Sequence, residues 1–239
     1  MVYEGPGYGY SEVSNTSRDI DTITKEMHQS LEKSGEKSPY ILVGHSMGSL
    51  EIIRFAQMYK NEVKGIVMID GGSPEFYANV EIDQNQISSM KLKSVLKNEG
   101  IIRLLFNYSK KFYNSTYSSR NQLSLVPLDL KNVDTAMYLK TMTNKNKTAE
   151  LVNLKSNALI VKKFGYLGQI PLRILTSGEE AKDREWKNSQ EDFKSWSTDS
   201  KQKIVNNSPH YIHQYEPNVI NNEIKKSTIF AANQLWFNW

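Results

Sequence analysis

Tyr40-Ile41-Leu42-Val43-Gly44-His45-Ser46-Met47-Gly48-Ser49-Leu50 is the stretch from which the rest of the chain can be read. A short apolar run enters a Gly-x-Ser-x-Gly pentapeptide. An amphipathic segment follows at once, with Leu50, Ile52, Ile53, Phe55, Ala56 and Met58 as its apolar positions. The pattern predicts a strand, a sharp turn and a helix. Such a turn holds its central serine in a strained backbone conformation, so small residues are expected at Gly44 and Gly48, where strand and helix pass closely. Ser46 then stands exposed at the carboxyl end of the strand. The helix points its amino terminus at the same place, which leaves the Met47 amide free to meet a developing oxyanion.

Working outward, Val63 to Ile69 is a nearly continuous apolar run, as expected of a parallel strand covered on both faces. It ends in Asp70-Gly71-Gly72. An acidic residue at the carboxyl end of a central strand is where ligand-facing groups of open α/β sheets project; the competing reading is a loop aspartate that caps the next turn. Upstream, Ile20, Ile23, Met27 and Leu31 give Asp19 to Ser34 the spacing of a helix with one buried stripe. Met1 to Ser11 reads as the tail of a strand running into a glycine-rich turn. From Pro74 to about Gly168 the pattern is helical, in the stretches Ile87 to Leu96, Ile101 to Phe112 and Val133 to Met142. Ile170 to Thr176 returns to strand character, Glu185 to Trp196 reads as a helix and Lys201 to Val205 as the last strand. A terminal helix runs from Val219 to Ala232, and no internal repeat is evident.

Composition narrows the chemistry. A chain of 239 residues with 38% hydrophobic content can build one sizeable core, with or without a cap. Lys and Arg total 30 against 26 Asp and Glu, and the resulting +4 is distributed along the sequence. The clusters Lys110-Lys111, Lys162-Lys163 and Lys225-Lys226 read as solvated faces, because no aromatic-interleaved basic stripe accompanies them; nucleic acid is not an expected partner. Asn144-Lys145-Asn146-Lys147 reads as compositional bias. With no cysteine there is no disulfide, thiolate metal site or cysteine nucleophile, and a serine must carry any covalent chemistry. No run of about 18 apolar residues spans a bilayer, and MVYEGPGYGY lacks the regions of a signal peptide. As written, the sequence reads as cytoplasmic, with the reservation that a missing amino terminus could have carried a signal or anchor.

Pro6-Gly7-Tyr8-Gly9-Tyr10-Ser11, ILVGHSMGS, Gly65-Ile66-Val67-Met68-Ile69-Asp70, Pro171-Leu172-Arg173-Ile174-Leu175-Thr176 and Ser208-Pro209-His210-Tyr211-Ile212 occur in the order found in the α/β-hydrolase superfamily, which the chain resembles over nearly its whole length. The resemblance implies a partial α/β-hydrolase fold: a mostly parallel sheet flanked by helices, with a helical cap insertion. Residues 1–75 and 169–239 would form the core and 76–168 the cap. Tyr108, Tyr113, Tyr117, Met90, Met137 and Met142 could line an acyl or aryl pocket or fill the cap's own core.

A serine hydroxyl needs a histidine to take its proton and an acid to hold that histidine. The resemblance makes Ser46 the nucleophile and His210 the base, since the loop after the last strand reads Ser-Pro-His-Tyr-Ile where the family has Ser-Gly-His-x-Ile. His213 is the second candidate, with a surface position beside Tyr215 as the other reading. His28 reads as a packing or surface residue, and His45 as one that orients backbone or packs. In the usual arrangement the acid would be Glu179, Glu180 or Asp183; in a minority arrangement it is Asp70, which is favoured because its strand neighbours the one bearing Ser46. The Met47 amide would be the oxyanion donor. Acyl transfer to water follows, on an ester, lactone, thioester or amide of a small-molecule substrate, with no metal or cofactor needed.

The sequence departs from the family at its amino end. The family's first three strands and the loop that donates a second oxyanion amide have no counterpart upstream of Val2, and Glu4-Gly5 stands where relatives commonly have Asp-Arg. Three readings follow: an α/β serine hydrolase given in shortened form, a catalytically weak remnant that binds acyl ligands or a partner through its cap, or a chain in which residues 1–11 replace the missing parts. Nothing in the sequence fixes the oligomeric state.

Overall fold

The computed structural model describes residues 1–118 and 124–236, with side chains for all of these except 118 and 230–236. Four parallel strands form one sheet in the order β1 (Tyr40–His45), β2 (Val63–Ile69), β3 (Leu172–Ser177) and β4 (Ser200–Val205). The register pairs His45 with Ile69, Ile69 with Leu175, and Ser177 with Val205. The carboxyl ends of β1 and β2 are therefore level, and β3 and β4 run two residues further. In β2, Ile66, Val67 and Met68 are wholly buried, which is why that strand reads as a continuous apolar run. β1 and β4 are the edges among the described residues; exposed Lys201 and Lys203 line β4, whereas β1 leaves Val43 at 40% exposure.

The chain divides into two compact units, one holding Met1, residues 19–80 and 154–239, the other residues 2–18 and 81–153. The first unit contains the sheet and its helices. Its α1 (Ile20–Lys33) is capped by the Asp19 carboxylate, which accepts the Thr22 amide, and it buries Ile20 and Ile23. α2 (Gly48–Met58) buries Leu50, Ile52, Ile53, Phe55 and Ala56, and its Arg54 pairs with Asp21 at 2.7 Å while lying over the Phe164 ring. α3 (Pro74–Asn79) starts on Ser73, whose hydroxyl accepts the Phe76 amide.

The second unit contains α4 (Gln84–Asn98), α5 (Ile101–Tyr108), α6 (Lys110–Tyr113), α7 (Lys131–Thr141) and the first half of α8 (Lys145–Phe164). The single helix expected over Ile101 to Phe112 is two, because Ser109 is extended and its hydroxyl caps α6 at Phe112. The expected strand tail at Met1 is absent. Residues 5–12 turn back on themselves through Tyr8 N–H to Gly5 and Gly7 N–H to Glu12. Asn144, read from the sequence as bias, instead supports the backbone. Its side-chain oxygen accepts the amides of Asn146 and Lys147 at the start of α8, and its nitrogen donates to the Gly7 carbonyl. A buried Arg18–Glu150 pair at 3.1 Å, joined by the Tyr8 hydroxyl, closes this unit's polar interior.

The remaining helices belong to the first unit: α9 (Arg184–Asp192), α10 (Ile212–Tyr215) and α11 (Pro217–Trp236). Ile212 and Ile220 pack on Val67, Ile69, Leu175 and Val205, so the segment after β4 is anchored to the sheet's core.

The turn between β1 and α2 corrects one expectation. A Cβ on Gly44 would stand 2.9 Å from the Gly48 carbonyl oxygen and 2.7 Å from Ile52 Cδ1, whereas a Cβ on Gly48 would meet nothing within 4 Å. Close approach thus demands glycine at Gly44 only. Gly44→Ala is expected to cost roughly 1–3 kcal/mol through backbone displacement, while Gly48→Ala, in a helical position, is neutral or stabilising by up to about 1 kcal/mol. Urea denaturation of the two variants measures the difference, and equal costs would contradict the steric account.

Candidate active site

Ser46 occupies the turn with φ +54°, a left-handed conformation that a serine adopts only when the surroundings hold it. Those surroundings are visible: the Ser46 amide donates to the Ile69 carbonyl at 3.2 Å, and the Ser46 carbonyl accepts the Ser49 amide at 3.0 Å. Met47 is the amino-terminal boundary of α2, so its amide lies among the helix's free donors.

Asp70 follows β2 directly, also at positive φ (+42°), and is fully buried. A buried carboxylate is tolerable only when its oxygens are satisfied. Here Oδ1 accepts the Ser177 amide at 2.9 Å and the Trp186 indole N–H at 3.2 Å, while Oδ2 is 2.7 Å from His210 Nδ1. With a proton on Nδ1 directed at the carboxylate, the other ring nitrogen, Nε2, is the one able to accept a proton. The loop carrying His210 is pinned at Ser208, whose carbonyl accepts the Ser177 hydroxyl at 2.6 Å and the Glu179 amide.

The other sequence candidates have different surroundings. Asp183 caps α9, its carboxylate accepting the Trp186 amide at 2.8 Å; Glu179 is exposed, and Glu180 opens a short 3-10 turn. His213 has a buried Nδ1 without a hydrogen-bond partner among the described residues. His28 stacks on Tyr59 at 3.9 Å and bonds Glu62, a packing role. His45 orients backbone, its Nε2 donating to the His210 carbonyl at 2.9 Å with the two rings 4.4 Å apart. Burial, followed by the neighbouring His210, pushes His45 down to about 4, so it stays neutral and keeps that donor. The same two causes lower His213.

Two residues escaped the sequence reading. Tyr77 lies on Gly72, where a Cβ would fall 2.5 Å from its ring; burial is the main cause that pushes this phenol up to about 12, with the Ser46 side chain and Gly72 backbone pulling the other way. Ser73-Pro74-Glu75 is a helix-start signature that could have placed Tyr77 on a short helix, though not beside Ser46. Trp186 is three residues beyond the α9 cap, and its indole reaches Asp70 through tertiary packing alone. Among the described residues no group of three or more His, Asp or Glu could hold a metal ion, and no helix is long and apolar enough to cross a membrane.

Residues 2–217 match the family described as alpha/beta hydrolase fold. Among curated proteins, YbdG of Bacillus subtilis (strain 168) is 44% identical over 81 residues, a stretch covering 34% of this chain and 25% of YbdG. YqjL of the same organism is 23% identical over 224 residues, covering 92% of this chain and 69% of YqjL. The chain thus spans only a quarter of YbdG and about two thirds of YqjL. Among solved structures, a putative lipase from Acinetobacter baumannii AYE superposes with a TM-score of 0.61 at 14% identity, over 96% of this chain and 74% of that one. An epoxide hydrolase from Bacillus megaterium gives 0.60 at 16% identity, over 93% and 81%. At these identities the likeness is one of fold.

His45 makes the site sensitive to acid in a defined window. Its folded value of about 4 lies below the ordinary 6.5, so above that range it is neutral in both states, and stability falls as the pH drops from 6.5 towards 4 because the unfolded chain takes up the proton first. His45→Gln, which can still donate to the His210 carbonyl, is expected to lose less stability between pH 7 and 4 than wild type. Parallel stability curves across that window, measured by chemical denaturation, would contradict this.

Proposed function

We propose that this chain, which belongs to the alpha/beta hydrolase fold family, is a serine hydrolase cleaving an ester, amide or related acyl bond through Ser46, His210 and Asp70. The observation that carries the reading is the 2.7 Å bond between His210 Nδ1 and a fully buried Asp70, at the sheet end where Ser46 is held at positive φ. Catalysis accounts for both features, at the ends of two adjacent strands. A burial-tolerant residue would fill the place of Asp70 at lower cost, and glycine would relieve Ser46.

In this mechanism His210 Nε2 takes the proton from Ser46 Oγ as the oxygen attacks the carbonyl carbon. Asp70 stabilises the imidazolium that forms and keeps the proton of the resting ring on Nδ1. The Met47 amide at the start of α2 donates to the oxyanion. Collapse of the tetrahedral adduct passes the proton from His210 to the leaving group. Water then attacks the acyl enzyme with His210 again as base. We read residues 76–168 as the cap that shapes the acyl pocket, and the substrate as a small acyl compound.

Hydrolysis of short and medium p-nitrophenyl esters tests the reading. Wild type is expected to turn over at least one of them, with kcat/KM falling about a thousandfold or more in Ser46→Ala and His210→Ala and by a smaller factor in Asp70→Asn. Turnover unchanged by Ser46→Ala would overturn it. A folded wild type inert to every ester, thioester and amide offered would leave the ligand-binding reading instead.

A further inference from the structure

Asp70 is held by more than the backbone. Its Oδ1 receives the Ser177 amide, fixed by β3, and also the indole N–H of Trp186 at 3.2 Å. The same indole packs edge-on against the His210 ring with centroids 5.7 Å apart, and against Phe76 at 5.2 Å. One side chain therefore contacts both the acid and the base. Its placement is built: Asp183 caps α9 by accepting the Trp186 backbone amide at 2.8 Å, and Gln190, wholly buried in the same helix, donates to the Gly71 carbonyl and takes a bond from Thr176. α9 is thereby fastened to the residue after Asp70 and to β3. Of the polar groups facing the pair, the bonds to the carboxylate come from Ser177, Trp186 and His210, and the His210 carbonyl is held by His45.

We propose that Trp186 is the positioning residue for the acid and base: its N–H fixes the plane of the Asp70 carboxylate so that Oδ2 meets His210 Nδ1, and its ring limits the swing of the imidazole. This role rests on the proposed reading of Ser46, His210 and Asp70 as one catalytic set. Two consequences follow from the chemistry. Without the N–H bond to Oδ1 the carboxylate is freer to rotate, so Oδ2 leaves the line of the His210 Nδ1–H and that hydrogen bond weakens. Freed of the indole edge, the imidazole samples more orientations, which slows the proton transfer without altering ground-state binding.

Trp186→Phe keeps an aromatic edge and removes the N–H; β-(3-benzothienyl)alanine at 186 keeps the full shape and removes the N–H alone, which covers the case in which phenylalanine fails to fold. The His210 Nδ1–H resonance, followed by proton NMR and assigned with His210→Gln, requires no turnover. The expected result is an upfield shift of that resonance in both variants, as a weakened hydrogen bond gives, with kcat lower by roughly fivefold and KM within about twofold on the best p-nitrophenyl ester. A His210 Nδ1–H resonance and kcat equal to wild type in a folded benzothienyl protein would overturn the proposal. Failure of the hydrolase reading looks different: no Ser46-dependent turnover in wild type, whatever the resonance does.

Discussion

The arrangement at the sheet's carboxyl end depends on keeping one carboxylate, Asp70, wholly out of water. Removing a charge from water costs several kcal/mol unless its lone pairs are met. Each group that meets them comes from a different segment: Ser177 ends β3, Trp186 projects from α9, and His210 comes from the loop after β4. The register allows these segments to converge: Ile69 pairs with Leu175, so β3 runs two residues past the end of β2 and brings the Ser177 amide to Asp70. The fold and the electrostatics impose one requirement: displacing any of these segments strands a buried charge.

The same economy explains the strained residues. Ser46 and Asp70 both stand at positive φ, one residue beyond the paired positions His45 and Ile69. Two adjacent parallel strands thus end in the same backbone inversion, which turns the two side chains off the sheet. Such conformations persist only where their surroundings over-determine them. Gly44 supplies that on the Ser46 side by letting α2 close onto β1, and the Asp70 amide donating to the Leu175 carbonyl at 2.7 Å supplies it on the other.

Much of this was legible in the sequence because it is written in short-range patterns. The Tyr40 to Leu50 stretch encodes strand, turn and helix, and the apolar run ending in Asp70 encodes a central strand with an acid at its tip. What escaped was information held in tertiary contacts. Nothing near Trp186 in the chain reports that its indole would reach a residue 116 positions away. Nothing near Tyr77 reports its neighbour Ser46 either. The break at Ser109 was missed for the opposite reason: a side chain capping its own neighbourhood overrode the apolar periodicity there. The Asn144 cap shows how a stretch that resembles bias by composition can hold a helix start to a distant loop.

The proposed chemistry requires that Ser46 be a nucleophile activated by His210. The most direct measurement is peptide mapping of the folded chain after reaction with a fluorophosphonate. The expected result is one phosphonyl group per chain, on Ser46, and none when His210 is replaced by Ala. A folded chain that takes up no phosphonyl group, or carries it on another residue, would contradict it.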